Sequence, residues 1–334
     1  LAASIQKVVE EIFLKIVKNI AKETKEKNLC LAGGVALNCV ANGVLLKEDI
    51  FKNIWIQPAS GDAGGAIGAA LITWHMYHKK DREFKMKSDS MRGSYLGPQF
   101  SNDEIKKDLL NCNAKFQKLD TNLLVDKVTE DLVAEKAVGW MQGNMEFGPR
   151  SLGNRSIIAD PRSPKMQKQL NLKVKYRESF RPFAPSVLYE HANKWFDINI
   201  ESPYMLFVAN VKKDKCLQIN EKNNKLFGIE KLNVPRSIIP AVTHIDYSAR
   251  IQTVHKDTNP IYHKLISKFY DKTNCPVLVN TSFNIRGEPI VCSIEDAFKC
   301  FMGTNLDILV IEDFILFKED QDKSLLTDYK NKFE

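Results

Sequence analysis

Acidic residues are scarce where basic ones are dense. Between Arg150 and Arg181 the sequence sets nine Lys or Arg against two acids, Asp160 and Glu178, so this stretch does not neutralise itself. Cysteine patterning is missing too. The seven Cys stand at 30, 39, 112, 216, 275, 292 and 300 with no CxxC pair, which fits the reduced thiols of a cytosol better than a disulfide framework or a zinc site. No apolar run approaches the ~18 residues of a membrane span, and no secretory signal is visible. The expected location is therefore cytoplasmic, with no membrane partner. An apolar fraction of 44% and a net charge of +7 are ordinary for a soluble protein and permit anionic substrates. At 334 residues two domains are a better expectation than one core.

What is there centres on residues 143–181, GNMEFGPRSLGNRSIIADPRSPKMQKQLNLKVKYRESFR. The first cations of this stretch sit in a run of Gly, Pro, Asn and Ser, not on one face of a helix. Tight turns there let Arg150 and Arg155 converge on one point. Guanidinium forks beside exposed backbone N–H groups suit phosphate or a carboxylate. The plainer alternative is a solvated basic surface or a nucleic-acid patch.

Along the chain, Ile5, Val8, Val9, Ile12, Phe13, Ile16, Val17 and Ile20 predict a helix over 3–27 with one buried face. A strand at 29–32 runs into Gly33 and Gly34, where backbone N–H groups can approach an anion, unless the pair is only a tight turn. A second strand at 54–57 leads to Asp62 in SGDAGGAIGAA, where an isolated Asp reads most simply as a helix cap. Residues 79–92 read as a linker, Ser101 and Glu104 as a capping box, and 122–135 as a helix. A strand over 137–142 enters the arginine loop. PFAPSVLYE, from 182, is a core strand, and 212–236 an exposed excursion. His244, Asp246 and Arg250 share one stretch, either a site or a surface ion pair. Asn259 and Pro260 open a helix. The strand from 276 ends in Asn280, Thr281, Ser282 and Asn284, which bind phosphate oxygens or cap a turn. Ser293 and Asp296 cap a helix to about 304, and 308–311 with 314–317 form a hairpin.

Three of these stretches are more specific than their charge. MEFGPRSLGNRSIIADPR with LNLKVKYRESFRPFAPSVL, PAVTHIDYSARIQTV at 240–254, and PVLVNTSFNIRGEPIV at 276–291 resemble, in order, the carboxy-terminal domain of the O-carbamoyltransferases of nodulation and antibiotic tailoring. GGVALN and ASGDAGGAIGAA resemble part of an actin-like ATPase. The resemblance implies an α/β chain: a partial actin-like lobe over 1–80, a linker and short helix over 81–121, a YrdC-like domain with a twisted mixed sheet over 122–318, and a charged tail over 319–334. It implies ATP-dependent transfer of a carbamoyl group from carbamoyl phosphate, through carbamoyl-adenylate, to a hydroxyl of a small molecule or glycan. Arg150, Arg155, Lys175 and Arg181 would be catalytic. Gly33, Gly34, Asn38, Arg250, Thr281, Ser282 and Asn284 would bind nucleotide. Asp62 would ligate a metal, Fe or similar, with Mg travelling on the nucleotide.

Two departures stand out. The family pattern has Gly-Thr where this sequence has Tyr247-Ser248, and no HxxxH occurs, so the family's paired metal-binding histidines are missing. With Leu1 already inside a helical pattern, the sequence is expected to begin partway through a longer protein. A homodimer stays open. Two further readings also stay open: a basic module linked to tRNA modification, against which stands the lack of an aromatic-basic stacking motif, and an ATP-binding scaffold without turnover.

Overall fold

The computed structural model describes residues 1–83, 89–327 and 329. Part of the expected linker, 84–88, and part of the tail, 328 and 330–334, lie outside the described residues.

The amino-terminal part is small. Helix α1 (Ala2–Thr24) is followed by strand β1 (Asn28–Leu31), helix α2 (Cys39–Lys47), strand β2 (Asn53–Ile56) and helix α3 (Ala63–Ile72). The two strands pair in parallel, Leu29 opposite Ile54. The apolar stripe of α1 does form one helical face, but it is not buried as expected. Val17 alone is fully covered, packed with Leu29, Leu45 and Phe51, while Ile5, Val8, Ile12, Ile16 and Ile20 are exposed. The helix packs on α2 and the edge of the two-stranded sheet along one side, and among the described residues nothing covers these exposed side chains. Helix α3 likewise has no buried residue. Of its glycines Gly64 fits closely, against the Ala59 carbonyl, whereas Gly65 and Gly68 face open space.

The larger part holds a nine-stranded mixed sheet. Its strands are β3 (Gln117–Lys118), β4 (Val138–Met141), β5 (Arg155–Ala159), β6 (Ala184–Leu188), β7 (Phe207–Asn210), β8 (Ser248–Val254), β9 (Val277–Ser282), β10 (Ile308–Ile311) and β11 (Phe314–Phe317). The order across the sheet is β3-β11-β10-β4-β5-β9-β6-β8-β7. Central strands β4, β5, β6 and β10 are buried at every position, β10 as an unbroken apolar run and β5 and β6 with Arg155, Ser156 and Ser186 among their apolar residues, as strands covered on both faces.

The helices form where the caps stand. Ser101 and Glu104 make both capping-box bonds for α4 (Asn102–Asn111), and Asp120 caps α5 (Thr121–Val133). Helix α6 (Met166–Lys173) follows β5, and α7 (Ala192–Trp195), α8 (Glu221–Asn224) and α9 (Gly228–Leu232) are short turns. Asn259 accepts from Tyr262 N at 3.1 Å to start α10 (Pro260–Thr273), and Ser293 with Asp296 caps α11 (Ile294–Met302). Helix α10 packs on α5 and across β6 and β9; α11 packs on β4 and β10. The expected mixed α/β architecture is what the chain has. The tail is less open than its charge implied: Gln321 is buried, exchanging hydrogen bonds with both backbone groups of Lys115.

Candidate functional site

Strand polarity decides where side chains meet. Met141 pairs with Arg155, Ser156 with Ser282, Ala184 with Asn280, Ser186 with Gln252, and Val208 with Arg250. One end of the sheet therefore collects the exits of β4 and β9 and the entrances of β5, β6 and β8. At that end lies a cleft of about 400 Å³, lined by Arg150 and Ser151 from the β4–β5 loop, Arg177, Arg181 and Phe183 before β6, His244 and Arg250 around the start of β8, and Asn280, Thr281 and Ser282 at the end of β9. Its outer wall comes from the small part: Cys39 and Val40, the first turn of α2. Two residues bring α2 there. Asn42 Nδ2 donates to Ala36 O (2.8 Å) and across to Leu206 O (3.0 Å), and Gly43 lies so close to the Val208 carbonyl that a Cβ would overlap it.

The β4–β5 loop is held open by a buried carboxylate. Glu146 Oε1 accepts from the backbone N–H groups of Leu152 (2.6 Å), Asn154 (2.8 Å) and Arg155 (3.3 Å). Burial pushes its carboxyl up from the ordinary value and those bonds pull it back. Gly153, at φ 109°, leaves no room for a Cβ beside the Tyr262 ring. The loop can then point Arg150 outward, its Nη2 reaching Leu37 O at 3.4 Å.

No Asp or Glu lines the cleft. Burial lowers Arg150 from its ordinary value. Burial and neighbouring Arg150 hold Arg250 at about 10; burial and then Arg181 hold Arg177 at about 10. Arg177 is fixed by its Nε–H to Asn171 Oδ1 (2.7 Å) and by the Phe183 ring 5.0 Å away. At the rim, Arg181 pairs with Glu178 at 3.1 Å. Arg150 Nε, Ser151 Oγ and Asn280 Oδ1 are buried without a hydrogen-bond partner. Crowded cations that repel one another, beside unsatisfied polar atoms, form a site preorganised for a multiply charged anion.

The expected residues divide. Arg150, Arg181, Arg250, Thr281 and Ser282 line the cleft. Arg155 does not, and the expectation that it converges with Arg150 is corrected. Its guanidinium is buried and donates to the carbonyls of Gln142 (3.0 Å), Gly143 (3.2 Å), Asn154 (2.9 Å) and Pro98 (3.1 Å), which makes it a brace of the loop. Lys175 stands behind the wall: its Nζ donates to Ser282 O, to Ser282 Oγ (3.2 Å), and to Asn284 O (2.9 Å) and Oδ1 (2.8 Å). Burial and then Arg177 bring it down to about 7. Asn284 is held by that lysine and by Glu288 O (2.6 Å). Gly33, Gly34 and Asn38 lie outside the lining. Both glycines face open space, and Asn38 caps α2 while bonding Gln6. Asp62 is exposed and makes no side-chain cap bond. Among the described residues no three His, Cys, Asp or Glu come together to hold a metal, so the residues around Asp62 do not fit one. Arg177 and Cys39 were missed. Arg177 lies in the same charge run, but nothing in sequence spacing sets Cys39 beside it.

The Tyr247-Ser248 departure has a local explanation. Tyr247 sits at φ 63°, the conformation for which glycine is the ordinary choice, and Ser248 keeps a hydroxyl at the second place.

A model described as "Carbamoyltransferase C-terminus" matches residues 129–318, and "Carbamoyltransferase N-terminus" matches 1–71. The chain belongs to the carbamoyltransferase family. Cleft residues from Arg150 to Ser282 fall in the first match and Cys39 in the second, so both family regions build the cleft. This carbamoyltransferase chain is 57% identical to an uncharacterized protein of Synechocystis over 96% of its length and 52% of the relative's. It is 40% identical to nodulation protein NolO of Bradyrhizobium diazoefficiens (95% of this chain, 54% of the relative). It is 27% identical to the 3'-hydroxymethylcephem-O-carbamoyltransferase of Amycolatopsis lactamdurans (92% and 52%). The chain thus spans about half the length of the curated relatives it matches. A solved structure of full-length HypF in the phosphate- and nucleotide-bound form aligns with a TM-score of 0.36 and 15% identity over 60% of this chain and 22% of that one, too loosely to carry an argument. Among the described residues no helix is long and apolar enough to cross a membrane.

Proposed function

We propose that the cleft binds carbamoyl phosphate and ATP and makes carbamoyl-adenylate, the activated donor for carbamoylation of a hydroxyl. The observation that carries this reading is the acid-free cleft itself, with Arg150, Arg177, Arg181 and Arg250 around Thr281 and Ser282. Water adds to the carbamoyl carbon of carbamoyl phosphate, the C–O bond to phosphate breaks with its electrons leaving on phosphate, and the carbamic acid loses a proton to solvent as carbamate. A carbamate oxygen then attacks the α-phosphorus of ATP, and pyrophosphate departs with the bonding electrons. The acceptor hydroxyl later attacks the carbamoyl carbon, expelling AMP and losing its proton to solvent. Nucleotidyl transfer asks the protein chiefly for charge neutralisation and in-line positioning. The guanidiniums supply the charge, while Lys175 fixes the turn that carries Ser282 and Asn284. Magnesium enters on the nucleotide. A metal bound through Asp62 needs partners that the described residues do not provide, and no step runs through one. The name of one relative, a 3'-hydroxymethylcephem-O-carbamoyltransferase, supports a hydroxyl on a small molecule as acceptor, and a glycan hydroxyl is the other acceptor the reading allows. The test is pyrophosphate release by residues 1–334 with Mg-ATP. Release that depends on carbamoyl phosphate is expected; release equal with and without it refutes the reading.

A further inference from the structure

His244 stands at the wall between the guanidinium cleft and a neighbouring cavity of about 350 Å³, and lines both. The turn that carries it is tightly closed: His244 N donates to Ser248 O (2.8 Å) and Tyr247 N to His244 O (3.1 Å). This sets the ring against the side chain of Ser248, with Nδ1 3.1 Å from Ser248 Oγ. Ser248 Oγ in turn lies 2.6 Å from Asp246 Oδ1, which also takes the Ser248 backbone N–H at 3.1 Å.

Counting protons fixes the tautomer. Burial raises the Asp246 carboxyl, but the two bonds from Ser248 outweigh it and hold the group below its usual range, so Asp246 is a carboxylate and only accepts. The single hydroxyl proton of Ser248 therefore goes to Asp246. Ser248 Oγ is left to accept, and the proton between it and the ring must sit on His244 Nδ1. The remaining nitrogen, Nε2, carries a free lone pair and takes no hydrogen bond from the described residues. Burial keeps the ring neutral by lowering it from its ordinary value, as does nearby Arg250, against the pull of Asp246. A lone pair is of no use to an anion. Among the described residues that line the cleft, otherwise guanidiniums, hydroxyls, an amide and apolar surface, only His244 and the Cys39 thiol could take up a proton. Of the two, the ring alone has its basic atom oriented by a second and third group.

We propose that His244 is a catalytic base of this site: its Nε2 takes the proton from a water as that water's oxygen bonds to the carbamoyl carbon of bound carbamoyl phosphate. The carbonyl then re-forms and the C–O bond to phosphate breaks, its electrons leaving with phosphate. The proton passes from His244 to a phosphate oxygen, and the carbamic acid left behind loses its own proton to solvent as carbamate. The ring ends as it began, and nothing is oxidised or reduced. Ser248 and Asp246 are positioning residues that hold Nδ1–H in place. The inference rests on the reading of the cleft as a carbamoyl phosphate site.

The test is release of phosphate from carbamoyl phosphate by the full chain, followed across pH, beside calorimetry with inorganic phosphate. Asp246 on its own turn and Arg250 from β8 act on the ring, and the two cavities it borders are also lined by Arg150 from the β4–β5 loop, Arg177 and Arg181 from the segment before β6, Cys39 from α2, and Arg236. The cations oppose protonation, so wild-type release is expected to be flat near neutrality and to fall on the acid side as Nε2 takes a proton. His244→Gln should lower release by about 10²- to 10⁴-fold and abolish that acid limb, while inorganic phosphate still binds within about threefold of wild type. Added imidazole should restore part of the rate to His244→Ala. Ser248→Ala, which frees the ring to turn, should cost about tenfold in rate. If wild type releases phosphate and both His244 variants, folded and phosphate-binding, release it equally fast with the same pH profile, His244 is not the base. If wild type binds inorganic phosphate yet releases none from carbamoyl phosphate, the underlying reading falls, and this inference with it.

Discussion

Arg250 offers the sharpest test of the cleft, because its removal should move stability and binding in opposite directions. The guanidinium sits at about 10, well below its ordinary value, through burial and the charge of Arg150. A base whose folded value lies below its unfolded one imposes a penalty that is complete below the folded value and released only as pH climbs from there to the unfolded value. At pH 7–8 the whole penalty is therefore present, and the displacement corresponds to about 3 kcal/mol. Arg250→Met keeps most of the aliphatic stem and discards the charge. Part of the relief is lost because Met packs less fully, so the empty protein should gain about 1–3 kcal/mol, seen as a higher urea midpoint. The same change removes one charged donor from the bound anion, worth about 1.5–3 kcal/mol, so the Kd for inorganic phosphate should rise about 10- to 150-fold. Both are read on one preparation, by urea unfolding without ligand and calorimetry with it. A variant that is less stable than wild type, yet binds phosphate within twofold, would mean that Arg250 is an ordinary structural arginine and that the cleft is not strained by its own charge.

Two other substitutions separate brace from site. Arg155→Ala strands four backbone carbonyls and should cost about 3–5 kcal/mol of stability, while the fraction still folded at low temperature binds phosphate as wild type does; lost affinity in a protein of normal stability would contradict this. Lys175, held at about 7 against an ordinary 10.5 by burial and Arg177, is neutral when folded and protonated when unfolded between those values. Stability should therefore rise with pH from about 7 toward 10.5, by as much as about 3 kcal/mol up to pH 9.5. In Lys175→Met that rise should be absent from urea midpoints compared at pH 6.5 and 9.5.

The sequence by itself determined what is local. Capping residues Ser101, Asn259 and Ser293 start their helices where one- to four-residue hydrogen-bond geometry requires, and a continuous apolar run makes the buried strand β10. The three family motifs lie in contiguous stretches, and so do the cations they contain. Long-range partners decided the rest. Arg150 and Arg155 are five residues apart in one loop, and composition treats them alike. Only the strand pairing of Met141 with Arg155 turns the second inward, into a shell of carbonyls, while the first emerges beside Leu37 from the other end of the chain. Cys39 reaches the cleft because Gly43 lets α2 press against the backbone of β7, a contact between residues 165 positions apart. The stripe on α1 shows the limit from the other side. Periodicity specifies which face is apolar, since that follows from 3.6 residues per turn, but whether anything covers that face depends on elements elsewhere, and among the described residues none does. His244 gained its meaning the same way: its spacing to Asp246 and Ser248 is legible, but the chain of bonds that fixes its tautomer exists only once the turn has closed, with Tyr247 forced into a glycine's conformation to close it.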